Sequence, residues 1–328
     1  MNIVVSGAAG FIGQNLCENI LENSNAQLLC IDNFSTGDRL SIDDLTKKYG
    51  PTRVGLVTAD VEGHQFVINE AVRGFFCNQK IDRIYHLACP ASPSRYQIDP
   101  VKTLMTSVVG TKNMLDLATR HNARILFTST SEVYGDPEVN IQSEEYKGNV
   151  NCTGTRACYD EGKRAGESLC FDYNRTYGTK IKVVRIFNTY GPGMQPDDGR
   201  VVSNFVVQAL KGDDITIYGD GTQTRSFCFV EDMVTGLKSM MDTPLDVIGP
   251  INIGNPKEIT VKQLADSVLS LINSQSRVVY RDLPEDDPKK RCPSITKALR
   301  CLSWTPMQDL SEGLPKTIEY FRSRVEDQ

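Results

Sequence analysis

The 328-residue sequence predicts an α/β fold: a doubly wound parallel sheet followed by a smaller C-terminal lobe. Three observations point there. Short β-rich runs alternate with helical stretches through residues 1–188. Most of those runs are continuously apolar, as in parallel strands covered on both faces. A turn carrying Gly7, Gly10 and Gly13 joins the first run to the first helical stretch. A βαβα order with that turn is the Rossmann-type arrangement.

In order, the strands are expected at 2–6, 27–32, 54–59, 83–88, 124–129 and 182–187; Leu28-Leu29-Cys30-Ile31 typifies their apolar character. Helices are expected near 11–23, 64–78, 100–121 and 159–177. After Asn188-Thr-Tyr-Gly-Pro192 the texture changes. Helical patterns near 201–211, 230–242, 260–273 and 312–325 are separated by turn-rich pieces such as Gly219-Asp-Gly221 and Pro284-Glu-Asp-Asp-Pro288. Two short strands, 215–218 and 251–253, are expected in that second lobe. The predicted division is therefore 1–188 and 189–328, with some exchange of segments between the two.

Hydrophobic residues make up 40% of the chain and charged residues 23%, the profile of an ordinary globular protein. A net charge of −5 argues against dedicated nucleic-acid binding, which needs basic surface. The ten cysteines are scattered, without a Cys-x-x-Cys, and only three histidines are present, which weakens a metal-site reading. The cysteines are read as free thiols in a reducing compartment. No signal peptide or membrane-spanning run is apparent, and the expectation is a soluble, cytoplasmic protein with no metal.

The glycine-rich turn carries the first piece of chemistry. Gly7 permits a tight turn, Gly10 lets a diphosphate approach the backbone, and Gly13 lets helix and strand pack closely. The helix N-terminus offers free N–H groups and a positive dipole end to that diphosphate. Asp32, ending the second strand, suits an adenosine ribose and repels a 2′-phosphate, which favours NAD over NADP.

Tyr159 and Lys163 carry the second piece. At i and i+4 they share one helix face, and the ammonium is expected to lower the tyrosine pKa from about 10. Such a tyrosine takes a proton from a sugar hydroxyl while hydride leaves the same carbon. Thr130-Ser131-Glu132 is expected to determine the next step.

The Gly-x-x-Gly-x-x-Gly spacing with Tyr-x-x-x-Lys resembles the extended short-chain dehydrogenase/reductases. Within that family the chain resembles the UDP-glucuronate decarboxylases. Seven motifs carry this resemblance: His86–Pro93, Thr128–Pro137, Ala157–Arg164, Arg185–Pro192, Asp198–Phe205, Thr222–Phe227 and Asp286–Arg291. It implies oxidation at C4 of UDP-glucuronate by NAD, loss of CO2 from the β-keto acid, and re-reduction to UDP-xylose. Tyr159 would act as base, with Thr130 sharing a hydrogen bond with the same oxygen and Lys163 reaching the nicotinamide ribose. Ser131, where related dehydratases place an acid, would donate a hydrogen bond to the substrate carboxylate. Glu132 would order a water or act as base near C5, and Arg291 would hold the carboxylate or the diphosphate. A water polarised by Glu132 and Arg291 would protonate C5.

The resemblance further implies that Asp60 and Val61 line the adenine pocket and that Leu87 and Cys89 lie along the nicotinamide. Phe11, Ile12, Asn33, Phe34, Thr36 and Gly37 would also contact the cofactor, as would Thr106, Thr128, Thr189 and Arg200. Pro90, Asn188, Val202, Asn204, Tyr218, Gln223 and Arg225 would join Arg291 around the UDP-sugar. The helices near 100–121 and 159–177 would form a homodimer interface. The chain departs from the family pattern at Met105 and Ser107, which replace Lys and Asn, and at Gly193. Three other readings stay open: a decarboxylase that releases the 4-keto pentose, a 4,6-dehydratase or epimerase, and a catalytically silent NAD-binding regulator.

Overall fold

A computed structural model describes residues 1–282 and 290–326, leaving aside the side chain of Glu326. The strands of the first half are β1 (Asn2–Ser6), β2 (Gln27–Asp32), β3 (Val54–Thr58), β4 (Arg83–His86), β5 (Arg124–Thr130) and β6 (Lys180–Ile186). Shorter strands follow: β7 (Thr189–Tyr190), β8 (Ile215–Tyr218), β9 (Thr224–Ser226), β10 (Cys228–Phe229), β11 (Ile251–Ile253), β12 (Glu258–Thr260) and β13 (Val278–Arg281).

The main sheet has seven strands in the order β11-β6-β5-β4-β1-β2-β3, all parallel. The strand order reverses between β1 and β4, and a crevice opens at such a switch point beyond the strands' carboxyl ends. Segment 251–253 corrects the sequence expectation. Expected in the second lobe, it is β11, the edge of the main sheet beside β6. Three residues, Ile-Asn-Ile, carry no signal for which sheet they join; long-range pairing determines it.

Helices cover both faces. On one side, α1 (Phe11–Glu22) and α2 (Arg39–Tyr49) contribute Leu16, Ile20 and Ile42 to a core shared with later helices. On the other, α3 (Gln65–Phe75) contributes Ile68 and Val72. The sequence reading missed α2, whose buried apolar residues are only Ile42 and Leu45. It also ran α3 too far: Cys77 and Asn78 adopt positive φ, which ends a helix.

The stretch expected as one helix over 100–121 is composite. After the short α4 (Pro93–Tyr96) come α5 (Pro100–Met105), a π-helical turn over Thr106–Gly110, and α6 (Thr111–His121). Against this turn packs α7 (Ala157–Tyr177), at Gly162. A Cβ on Gly162 would lie 2.9 Å from Ser107 Cβ, so a side chain there would push α7 away. Met114, Leu115, Cys170 and Tyr173 are buried against the sheet, whereas Leu104 and Met105 are exposed.

Beyond β6, α8 (Val201–Lys211), α9 (Val230–Asp242), α10 (Val261–Ile272), α11 (Thr296–Leu302) and α12 (Leu310–Glu326) complete the chain. Phe205, Met233, Leu237, Leu264 and Phe321 extend the first core. The turn expected at 284–288 lies outside the described residues.

Candidate active site

The glycine-rich turn is built as its residue types require. Gly7 has φ +73°, and a Cβ there would come within 2.7 Å of Ala88 N. A Cβ on Gly13 would lie 2.0 Å from the Gly7 carbonyl, so only glycine lets α1 start so close to β1. Gly10 occupies the N-cap, with no side chain covering the first-turn amides of Phe11, Ile12 and Gly13. Asp32 accepts from Ala9 N–H at 2.9 Å and Phe34 N–H at 2.8 Å. Burial pushes its pKa up while those bonds pull it down. Each oxygen retains a lone pair for a ribose hydroxyl.

From this turn a cleft of about 870 Å³, including its open mouth, runs past Asp32, Asn33 and Thr36 to Val61 on one side. On the other it passes Leu87, Cys89, Pro90 and Thr106. These residues, scattered in sequence, meet around one groove whose glycines leave room for a dinucleotide diphosphate. Gly37 closes tightly on Ala9, and Phe34 takes φ +59°. Asp60 lies at the rim, accepting from Asn33 Nδ2 at 2.5 Å and pairing with Lys102 at 3.0 Å. Both contacts, Asn33 foremost, lower its pKa. Lys102 was not foreseen; nothing in its local sequence separates it from a solvated lysine.

At the switch point itself, Ser6 Oγ lies 2.7 Å from His86 Nδ1, and His86 Nε2 lies 3.1 Å from Thr111 Oγ1. Burial, then Lys163, hold the His86 pKa down at about 3. His86 is thus neutral, a hydrogen-bonded pin between β1, β4 and α6. Its carbonyl accepts from Thr128 Oγ1 at 3.1 Å.

Tyr159 and Lys163 project from α7 toward β5, both almost fully buried. Lys163 Nζ donates to the Thr128 carbonyl at 2.9 Å and lies 5.9 Å from the Tyr159 ring centre. Tyr159 has the Thr130 side chain near its hydroxyl and stacks on Tyr96, with ring centres 5.0 Å apart and planes 1° from parallel. The expected fall in the Tyr159 pKa is corrected. Burial raises it well above the ordinary value, Cys89 adds to the rise, and Thr130 opposes both. The physical reason is distance and desolvation: the lysine spends its hydrogen bond on a carbonyl, and burial also disfavours its charge.

Beyond Thr130, Ser131 and Glu132 turn away from β5 in one 3-10 turn, with Thr130 Oγ1 accepting from Glu132 N–H. Ser131 is buried. Arg291 grips Glu132 through both guanidinium nitrogens, the longer contact being 2.7 Å, and Arg156 adds a bond of 2.9 Å. Burial would raise the Glu132 pKa, but Arg291 and Arg156 outweigh it and hold the carboxyl below its usual range. A carboxylate held this way is a weak base. The sequence reading named Glu132 and Arg291 separately; it did not foresee that they pair, and it passed over Arg156. Asp160, also unassigned, is buried beside Tyr159, and burial followed by Glu132 pushes its pKa up to about 7. The motif around Tyr159 contains Asp160, but helical spacing alone does not show that it faces Glu132.

The remaining predicted residues divide. Arg200 pairs with Asp198 and lies 5.6 Å from the Phe11 ring centre, at the turn. Thr189 is tied to the Phe187 carbonyl at 2.9 Å. The Asn188 carbonyl accepts from Cys228 N–H, and Asn204 holds the Gly199 carbonyl. Gln223 donates to the Tyr218 carbonyl at 2.5 Å, next to Arg225 on β9. Ser226, also on β9, reaches the Arg291 carbonyl at 3.4 Å, which ties this group to the Glu132 clamp. Val202 is 2% exposed within the core, so its side chain packs rather than lines a groove. Residues 286–289 of the last motif lie outside the described residues.

A parallel sheet with a glycine cradle, an acidic strand end and a buried Tyr-x-x-x-Lys pair defines a dinucleotide-dependent enzyme of the short-chain dehydrogenase/reductase type. The comparisons agree: the chain belongs to the NAD dependent epimerase/dehydratase family, whose model matches residues 3–254. It is 50% identical over 325 residues to UDP-glucuronic acid decarboxylase 5 of Arabidopsis thaliana, covering 99% of this chain and 90% of that protein. To UDP-glucuronic acid decarboxylase 1 of Xenopus tropicalis it is 44% identical over 326 residues, covering 99% and 73%. Among solved structures it resembles the UDP-glucuronic acid 4-epimerase of Bacillus cereus in complex with UDP-glucuronic acid and NAD. There the TM-score is 0.87 at 27% identity, covering 99% of this chain and 100% of that one.

Proposed function

We propose that this protein is an NAD-dependent UDP-glucuronate decarboxylase that makes UDP-xylose. The observation that carries this reading is the Arg156–Glu132–Arg291 cluster reached through Thr130 from Tyr159. It supplies cationic groups for a sugar carboxylate beside a base for a sugar hydroxyl. Bound NAD⁺ supplies the chemistry of removing and returning a hydride at C4.

The chain's own residues do the rest. Tyr159 takes the C4 hydroxyl proton, with Thr130 bonded to the same oxygen. The sugar carboxylate competes with Glu132 for Arg291, while Arg156 keeps Glu132 paired. Once C4 is a ketone, the carboxylate at C5 is β to it, and CO2 loss leaves an enolate. Tyr159 and Thr130 donate to O4 and stabilise the charge as an oxyanion hole does. Ser131 has no acidic proton with which to expel a C6 hydroxyl, which favours decarboxylation over dehydration.

Incubation with NAD⁺ and UDP-glucuronate, followed by NMR, tests the reading. UDP-xylose and CO2 are the expected products. A lasting 4-keto sugar in their place supports the incomplete-cycle alternative, and absence of turnover supports the silent NAD-binding one.

The unit over 1–188 is read as holding the cofactor and that over 189–328 mainly the UDP-sugar, with β11 exchanged into the main sheet. The protein is further read as a homodimer through α5 to α7, supported by exposed Val101, Leu104 and Met105. Light scattering tests this. No described helix is long and apolar enough to cross a membrane. The ten free cysteines support a reducing, cytoplasmic location, which cell fractionation tests.

A further inference from the structure

Asp160 stands next to Tyr159 in the first turn of α7, and neither the hydride step nor the carboxylate clamp uses it. Its side chain is 6% exposed, and its Oδ1 is buried without a hydrogen-bond partner. An ionised carboxylate with an unsatisfied oxygen is costly in such a place, so the acid form is favoured. Its surroundings are highly charged. Glu132, Arg156 and Arg291 act on it from the turn after β5, the start of α7 and the segment before α11, with Glu161 beside it. Tyr96, whose hydroxyl is likewise buried and unpartnered, faces it from α4. Cys158 and Tyr159 interact with it from its own helix.

We propose that Asp160 is a positioning residue that stores the proton delivered to C5 after CO2 leaves, passing it through an intervening water at the Glu132–Arg291 clamp. This rests on the decarboxylase reading above, and the carboxylates acting on Asp160 support it. With substrate bound, the carboxylates of Glu132 and the sugar both stand at the clamp. A further buried carboxylate would be repelled by both, so Asp160 remains an acid.

When the C5–C6 bond breaks, its electron pair passes into the enolate and CO2 departs uncharged. The negative charge then sits at O4, under Tyr159 and Thr130, and the sugar carboxylate no longer repels a charge on Asp160. Asp160 ionises near Arg291 just as C5 requires a proton. One proton enters at C5, one CO2 leaves, and solvent later restores the acid. No electrons are exchanged in this step; the hydride returned to C4 is the one first removed.

Asp160→Asn and Asp160→Glu, assayed with NAD⁺ and UDP-glucuronate, test the proposal. Asp160→Asn is expected to keep releasing CO2 while the 4-keto pentose share of product rises at least about tenfold. In D2O its C5 deuterium should be of mixed stereochemistry, and Asp160→Glu should restore UDP-xylose. Equal slowing of CO2 release and UDP-xylose formation, or an unchanged product ratio, overturns the proposal.

Wild-type protein supplies a second readout if the variants fold poorly: its keto-pentose share should rise between pH 6 and 9 as Asp160 ionises. A flat share across that range overturns the proposal. A third needs no turnover. A carboxyl whose folded pKa is raised lowers stability as pH rises through the interval between its unfolded and folded values. Asp160→Asn should therefore raise Tm more at pH 8 than at pH 5, and the reverse order counts against it. If wild-type protein itself makes neither CO2 nor UDP-xylose, the decarboxylase reading fails first and this proposal with it.

Discussion

Tyr159→Phe is expected to lower kcat by about a thousandfold, within the range general acid–base groups supply. The stack on Tyr96, with ring centres 5.0 Å apart, is one that phenylalanine preserves. The hydroxyl near Thr130 is what disappears. NAD binding, followed by fluorescence quenching or calorimetry, should change less than threefold, because the glycine cradle and Asp32 are untouched. The pH profile adds a sign. Burial holds the phenol above its ordinary pKa, so the base form grows with pH and wild-type kcat/KM should climb from pH 6 to 9. A Tyr159→Phe enzyme with a tenth or more of wild-type turnover would remove the tyrosine from the mechanism.

The second large effect is expected at Arg291. Its guanidinium and the Glu132 carboxylate are 8% and 12% exposed, and Arg291→Leu leaves a buried anion still paired with Arg156. Removing one member of a buried pair costs about 3–5 kcal/mol, mostly for the stranded charge. Urea unfolding at pH 7 should show a loss toward the lower figure, since Arg156 still compensates. The sign with pH follows from the depressed Glu132 pKa. Its stabilisation is present above the ordinary glutamate range and is lost as pH falls through the folded value. The gap between wild type and Arg291→Leu should therefore narrow at acid pH. Glu132→Leu with Arg291→Leu should recover part of the stability, and a double variant less stable than the single would contradict the stranded-charge account. Decarboxylation should fall at least a hundredfold in either variant.

Much of the nucleotide-binding architecture can be read along the chain because its chemistry is local. A glycine needed for φ +73°, an acid at the end of β2, and a tyrosine and lysine one helical turn apart are all set by spacing within a single element. The same holds for the apolar runs of β1, β2 and β5, which must be covered on both faces wherever they lie. Strand Ile251–Ile253 was misplaced because a three-residue Ile-Asn-Ile run suits any sheet and its pairing partners lie some distance away in sequence. The π-turn at Thr106–Gly110 was invisible for a related reason: its local preference is helical, and its changed winding accompanies close packing against Gly162.

Electrostatics shows the same division. Residue types announced a base, a cation and a carboxylate, and those identities follow from the sequence. Their protonation states do not, because these depend on desolvation and on neighbours brought in from distant segments. Burial reversed the expected direction for Tyr159, and Arg156 and Arg291 converge on Glu132 from different parts of the chain. Burial first and then Glu132 raise the Asp160 pKa, and the same two arginines oppose them. Local spacing thus defines the reactive groups and the cofactor cradle, while three-dimensional packing determines which charges meet, because Coulomb and desolvation energies depend on distance and burial rather than on order in the chain.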